Sequence, residues 1–535
     1  MGKSNQNQAF MKGALILLIA NVTVKVIGAG FKIPLTYMID EEGMGLFSSA
    51  YNIYTWLFVV ATAGFPVAIS KMVAESRARR QVSETRQILR SSLLLMGLIG
   101  IVGALFLFFG AGFLSNVMMD PEVKPGIQAL SLALLCVAVM SAFRGYFQGH
   151  QNMFPTAISE VIEALGKLVF GYTLAILLMQ YGLQYAAAGA VFGVSAGALL
   201  GLLFIVWVYW AARKRMYRPR AAAADFGPAR TSGQILKELV KIAIPITIGA
   251  SVFSLASVID SLMIMRRLQE GAGFALEQAR SLWGSYSGYA YPLFNMPPTM
   301  ITAISISLVP AIASALAAGR QRQAQRVTGI ALRITILFAL PCAVGMAVLA
   351  EPILQLVFHN TSATSSLSIL AYAIVFVSLV SVTNAILQAS GKIWVPVSHM
   401  AIGGLLKVSI NYILVGTPEV NINGAPIGSL VCYITILTLN LVSIRRIIGV
   451  RLGFADMVFK PVLCVAGMAA VALLVYGNTA FLGNTLSLLL SIALGGGTYL
   501  ALLFLVGAVR AEDVELLPKS ERYLPLLKKW KLIRK

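Results

Sequence analysis

Two lysines set into an apolar run are the side chains of this sequence best able to do chemistry. Phe10 to Asp40 reads FMKGALILLIANVTVKVIGAGFKIPLTYMID, long and apolar enough to cross a bilayer, yet Lys25 and Lys32 sit well inside it. An ammonium near the middle of a transmembrane helix costs roughly 2.5–3.5 kcal/mol on insertion scales, so two need a reason. They are seven residues apart, nearly two helical turns, and so point to the same side. Gly28, Gly30 and Pro34 give the helix places to bend where freed backbone groups meet protein or water. One reading is the lining of a wet cavity that receives an anion. The other is that both ammonium groups snorkel to an interface along their stems, which is easier for Lys32, near Asp40, than for Lys25.

A second group, Glu160, Glu163 and Lys167, follows i, i+3, i+7 spacing and shares one helix face. Glu163 to Lys167 is the favourable i,i+4 order for an ion pair, either self-neutralised in the bilayer or placed so that its lysine can be lent to an anionic ligand. Lys407 has no carboxylate a turn away in its own helix. Asp260 has no charged neighbour until Arg266 and Arg267, so it needs a partner from another helix, a proton or a cation. Arg144, in RGYFQGHQ, reads as a surface residue near the inner end of its helix, or as a guard of the inner mouth.

The elements that carry these residues are membrane helices. The chain is 58% hydrophobic and 12% charged with a mean hydropathy of +0.81, which excludes a soluble globular protein. Apolar runs predict 14 spans: 10–39, 44–70, 88–114, 126–147, 154–180, 184–212, 236–264, 286–316, 325–348, 363–389, 394–416, 421–444, 457–477 and 484–508. The net charge of +21 then reflects topology rather than nucleic acid, because lysine and arginine collect in cytoplasmic loops. With both termini cytoplasmic, about 34 of the 42 basic residues fall inside, and Lys25, Lys32, Lys167 and Lys407 fall within spans. The exception is 265–285, where Arg266, Arg267 and Arg280 lie outside beside Glu270 and Glu277; it is expected to be a surface helix or ordered loop. The N-terminus lacks a cleavage signal, so the first span is expected to be retained in the cell membrane.

An internal repeat follows from the spans. Phe65-Pro66-Val67-Ala68-Ile69-Ser70 corresponds to Val309-Pro310-Ala311-Ile312-Ala313-Ser314, Gln148 to Gln388, Lys167 and Tyr172 to Lys407 and Tyr412, and Gly189-Ala190-Val191-Phe192-Gly193 to Gly424-Ala425-Pro426-Ile427-Gly428, at offsets of 235–244 residues. The expected fold is therefore an all-α polytopic membrane protein: an N-lobe at 1–212 (spans 1–6), a basic cytoplasmic linker at 213–235, a C-lobe at 236–456 (spans 7–12), spans 13–14 at 457–510 and a basic tail at 511–535. Parallel six-helix repeats are a recurring transporter plan, with the substrate site between the halves.

Enzyme chemistry finds little support. The three histidines (His150, His359, His399) pair with no acid or cysteine at metal-ligand spacing, and the four cysteines lie in apolar runs. No Gly-rich phosphate loop with a following Lys-Ser/Thr occurs, so no ATPase is built in. The acidic run Asp40-Glu41-Glu42 reads as a solvated loop.

The stretches KGALILLIANVTVKVIGAGFKIPL, GFPVAISKMVAE (64–75), RGYFQGHQNMFPTAISEVIEALGK (144–167) and NAILQASGKIWVPVSHMAIGGLLK (384–407) carry a resemblance over nearly the whole chain. It resembles the multidrug/oligosaccharidyl-lipid/polysaccharide (MOP) exporter superfamily, in the branch of MurJ-type lipid II flippases and stage V sporulation protein B. The resemblance implies outward flipping of an undecaprenyl-pyrophosphate-linked cell-wall precursor across the cytoplasmic membrane by alternating access, driven by membrane potential or an ion gradient. Lys25 and Lys32 match the basic positions of the family's first span, with lysine in place of arginine. Arginines that related flippases carry in spans 2 and 8 are replaced here by Tyr51, Tyr54 and Trp56 and by GYAYPLFNMPP (288–298), which points to the Gram-positive branch. Substrate binding is thus expected of Lys25, Lys32, Lys167 and Lys407, and coupling or gating of Glu160, Glu163, Asp260 and Arg144. No metal or cofactor is expected beyond a coupling ion. The expected partners are the lipid-linked oligosaccharide, membrane lipids and cell-wall synthesis proteins. Two alternatives stay open: a cation-coupled multidrug or metabolite antiporter, for which Glu163 and Asp260 are the candidate acids, and a non-transporting scaffold of cell-wall synthesis.

Overall fold

The computed structural model describes residues 2–79, 81–216, 230–450 and 455–508, and these are helical throughout, with no strand among them. Most of the expected linker (217–229) and the basic tail at 511–535 lie outside the described residues. Among the described residues, 11 helices are long and apolar enough to cross a membrane, or up to 12 if the bent pair Ser232–Ser251 and Ser254–Glu270 counts as one, against the 14 expected. One of the 11, Ile19–Ala78, is 60 residues long, about 90 Å at the helical rise and far more than a bilayer needs. It is broken at Asp40, where φ is 50° and ψ is −167°, a backbone state outside both helical regions. The acidic run expected as a loop is thus a helix break followed at once by new helix.

By packing, the chain forms two compact units: Met1–Gln269 with Phe274–Gly284, and Glu270–Gly273 with Ser285–Lys535. In the first, the helix Ser232–Glu270 is held by Asn52, whose amide donates to Ser261 Oγ at 2.7 Å, and by a close approach of Gly64 to the Ala243 carbonyl. The connector expected at the surface is a half-sunk helix, Leu276–Gly284, with Ala279, Arg280 and Trp283 buried. It lies so near the first helix that a Cβ on Gly284 would run into the Glu41 carbonyl, and one on Gly45 would stand 2.5 Å from the Arg280 carbonyl. Arg280 closes this joint: its guanidinium donates to both Asp120 oxygens (2.8 and 2.6 Å), to Glu42 (3.0 Å) and pairs with Glu122 (2.8 Å). Burial works against that charge, but the bonds to Asp120, then Glu42 and Glu122, outweigh it and raise the guanidinium above its ordinary value.

Elsewhere in this unit, Arg230 pairs with buried Glu84 at 2.7 Å and with Glu238, fixing the end of the linker to the start of Val82–Val117. In the second unit, the last two helices, Lys460–Asn478 and Asn484–Leu505, pack on Gln321–Val348 through Cys464, Met468, Tyr499 and Leu503 against Leu337, Leu340 and Val344. The Tyr499 hydroxyl donates to the Leu337 carbonyl at 2.8 Å, so its polar end is satisfied within this apolar layer.

Candidate anion-binding site

Lys167 owes its place to a helix crossing made of glycines. Phe154–Leu178 and Leu183–Met216 meet backbone to backbone: a Cβ on Gly193 would run into the Gly171 backbone, and one on Gly197 into the Glu163 carbonyl. Small residues let membrane helices approach closely, which supplies the packing energy that lipid withholds from ordinary apolar contacts. From this joint Lys167 reaches the helix Gly2–Thr62. Its Nζ stands 4.5 Å from the centroid of the Tyr51 ring, 5.0 Å from that of Phe31 and 3.4 Å from the Tyr51 hydroxyl. Among the described residues Lys167 forms no ion pair with a carboxylate.

The rings belong to an aromatic row. Phe47, Tyr51, Tyr54 and Phe58 recur at helical spacing with centroids 5.5, 6.0 and 5.8 Å apart, and Phe31 joins Phe47 at 6.1 Å across the break at Asp40. Lys32, half-buried beside Phe31, lies within electrostatic reach of Lys167. Lys25 differs: it is exposed, as are Val22 and Val26 on the same stripe. The two lysines expected on one side therefore differ in burial, and it is Lys32 that the structure brings to Lys167.

The local pairing expected of Glu163 with Lys167 is replaced by a tertiary one. Glu163 accepts from Arg144 Nη2 at 2.9 Å, while Arg144 Nε donates to Ser159 Oγ at 3.0 Å. A planar guanidinium spans two acceptors one helical turn apart, which an ammonium cannot do with fixed geometry. Arg144, read from sequence as a surface residue, is buried in this junction, and Glu160 lies within reach of the same charges. Asp260 is buried beside Ser261, the acceptor from Asn52, and so belongs to the helix tied next to Tyr51.

The second unit has its own version. Lys407 is buried on Trp394–Leu414, and its charge reaches Tyr433, as do the phenols of Tyr291 and Tyr286. The Tyr433 ring stacks on Phe294 with centroids 6.3 Å apart, and Phe294 adjoins Tyr291 at 5.7 Å. Tyr51 and Tyr291, Tyr54 and Phe294, and Lys167 and Lys407 all share one 240-residue offset. Sequence reading missed these aromatic partners, although that constant offset was the signal that marks them.

Chemically, the arrangement in the first unit parks the Lys167 ammonium on ring faces. A cation–π contact is worth about 0.5–2 kcal/mol, less than a charge-assisted bond to an anion in a low-dielectric setting. An anionic ligand can therefore draw the lysine off its ring, whereas Arg144 and Arg280 are already bound to carboxylates. Among the described residues no three His, Cys, Asp or Glu side chains group to hold a metal ion.

The fold defines a multi-span helical membrane protein. The family model for polysaccharide biosynthesis proteins matches residues 10–316, more than half of the chain, and the chain belongs to that family; a second model, MatE, matches residues 287–413. Stage V sporulation protein B of Bacillus subtilis is 24% identical over 96% of this chain and 98% of its own length. The lipid II flippase MurJ of the same organism is 27% identical over 82% of this chain and 83% of its own. Among solved structures, lipid II flippase MurJ in an inward closed conformation superposes with a TM-score of 0.68 at 14% identity, covering 92% of this chain and 98% of that one. An inward-facing multidrug resistance MATE family transporter of the MOP superfamily gives 0.67 at 16% identity, covering 80% and 94%. Both solved structures share the fold of this chain, and the relatives whose names state an activity are flippases and transporters rather than catalysts.

Proposed function

We propose that this protein is a flippase that carries an undecaprenyl-pyrophosphate-linked cell-wall precursor, lipid II or a related lipid-linked oligosaccharide, outward across the cytoplasmic membrane by alternating access. The reading rests above all on the Nζ of Lys167, held on the Tyr51 and Phe31 rings near Lys32 rather than neutralised by an acid. A pyrophosphate needs such cations where the dielectric is low, and it displaces rings more readily than it would displace a carboxylate. Lys32 and Lys167 take the phosphates; Lys25, exposed nearer the start of the same helix, attracts the headgroup on approach; Lys407 serves the second unit in the same way. Arg144, Glu160, Glu163 and Asp260 hold or couple the helices that carry the lysines. The 14-span, two-lobe plan with both termini inside belongs to the same proposal.

Moving an anion outward from an inside-negative cell is electrically downhill and gains about 2.3 kcal/mol per charge per 100 mV, so the potential alone can drive export. The test is a proteoliposome assay with a lipid-linked pyrophosphate glycan and an imposed potential. Outward flipping that rises with inside-negative potential, and falls at least about tenfold in Lys32→Gln and Lys167→Gln, supports the reading. Flipping indifferent to both overturns it.

The MatE match over residues 287–413 favours a second reading, cation-coupled antiport of an organic substrate. That reading requires acids free to bind a coupling ion, and Glu163 is committed to Arg144. Transport of an organic cation that is lost in Asp260→Asn but kept in Lys167→Gln would replace the first reading with the second.

A further inference from the structure

The second unit holds a cavity of about 600 Å³ that none of the lysine sites uses, walled by Arg322, Gln325, Arg326, Arg333, Gly449 and Val450. Arg322, Arg326 and Arg333 follow i, i+4, i+11 spacing on the helix Gln321–Val348, so they form a single stripe. Gly329 falls on the stripe between them, and a Cβ there would meet nothing within 4 Å, so the wall is left open at its middle. Arg322 and Arg326 stand exposed at one end, and Arg333 is buried at the other.

The facing wall is the end of the helix Gly424–Ile447. Gly449 turns the chain away at a φ of 75°, a conformation glycine adopts without strain. Gln321 and Gln325 both donate from Nε2 to the Ile448 carbonyl at 2.9 Å, which satisfies that helix end and pins it across from the arginines. The carbonyl that would repel an anion most is thereby already occupied. Among the described residues the wall bears three guanidinium groups and no carboxylate.

From this geometry we infer that the cavity binds a phosphate group, carried either on an anionic lipid headgroup or on a soluble phosphate compound. Guanidinium forks match phosphate oxygens in pairs, and the volume lies in the usual range for small-ligand pockets. By the positive-inside rule the Arg320–Arg326 end of this helix is cytoplasmic, and basic pockets between transmembrane helices on that side are where anionic headgroups are held. The site lies within the second unit and shares no residue with the proposed substrate lysines.

The test uses the full-length chain and the double variant Arg322→Gln/Arg326→Gln, whose exposed side chains can be changed without emptying the core. Retained lipid is measured by native mass spectrometry after reconstitution in phosphatidylglycerol or phosphatidylcholine nanodiscs, and inorganic phosphate and ADP are titrated calorimetrically in lipid-free detergent. If the source is lipid, the wild-type chain retains phosphatidylglycerol over phosphatidylcholine and the double variant loses at least about tenfold of that preference, as expected when charge-assisted bonds are removed. If the source is soluble, phosphate or ADP binds in detergent, again at least about tenfold more weakly in the variant, with no lipid preference. Equal behaviour of wild type and variant in every arm overturns the inference, and Arg322→Lys/Arg326→Lys, which keeps the charge, separates loss of charge from loss of packing.

Discussion

Arg280 and Lys167 are both cations removed from bulk water in the first unit, and they are treated in opposite ways. Arg280 is enclosed by Asp120, Glu42 and Glu122, three carboxylates from two other segments, with helix backbones in contact on either side of it. Lys167 rests on the faces of Tyr51 and Phe31 with its charge uncompensated by any acid among the described residues. The first arrangement uses its charge to hold the fold; under the proposed function the second keeps it for a ligand. On that proposal pairing, rather than burial or position, separates structural from functional cations, and the contrast can be broken by experiment.

The largest effect is expected at the structural cation. Arg280→Met leaves Asp120 buried without its partner, and removing one member of a buried pair costs about 3–5 kcal/mol. Thermal unfolding in detergent should show a large loss for Arg280→Met and a smaller one for Arg280→Lys. Because the Arg280 value is raised, its contribution is fully present below the unfolded arginine value of about 12.5 and does not titrate at working pH. If Arg280→Met were as stable as wild type, the cluster would not be holding the joint.

Lys167→Gln should invert that pattern. It gives up a cation–π contact worth about 0.5–2 kcal/mol, so the midpoint of unfolding moves little while flipping falls at least about tenfold. A variant that unfolds as badly as Arg280→Met would make Lys167 a structural residue. Tyr51 sharpens the point further. Tyr51→Phe keeps the ring face and should retain most transport, whereas Tyr51→Ala removes the platform and should raise the substrate concentration needed for half-maximal flipping severalfold, a change of about 1 kcal/mol.

The smallest effect is expected at His150, which follows the helix Ser131–Gly149. Burial lowers its value to about 4, partly opposed by the bond from Nδ1 to the Tyr146 carbonyl and assisted by the charge of Arg77. The unfolded chain therefore binds the extra proton first, so stability is lost as pH falls from about 6.5 towards 4. In His150→Gln the unfolding midpoint should depend less on pH across that window; an unchanged slope would remove His150 from the account.

Much of this was legible in the sequence. The run lengths gave the helical membrane class. Once the spans were set, the repeat offset joined Lys167 to Lys407. Arg280 was visible as an exception, a basic residue stranded on the outer side, although its partners were not, because Asp120 lies 160 residues away. The Glu163–Lys167 pairing failed for a similar reason. Spacing along one helix reveals only neighbours on that helix, and Arg144 reaches Glu163 from the next one. The difference between Lys25 and Lys32 was hidden too, since a seven-residue spacing fixes direction but not how much of each lysine the rest of the fold covers.

The measurement that bears most directly on the central contrast is equilibrium binding of a short-chain polyprenyl pyrophosphate to the purified protein, wild type against Lys167→Gln and Lys32→Gln. Affinity should fall at least about tenfold in each variant and weaken with added salt in the wild type. Equal affinity in all three proteins would contradict the assignment of these lysines to an anionic substrate.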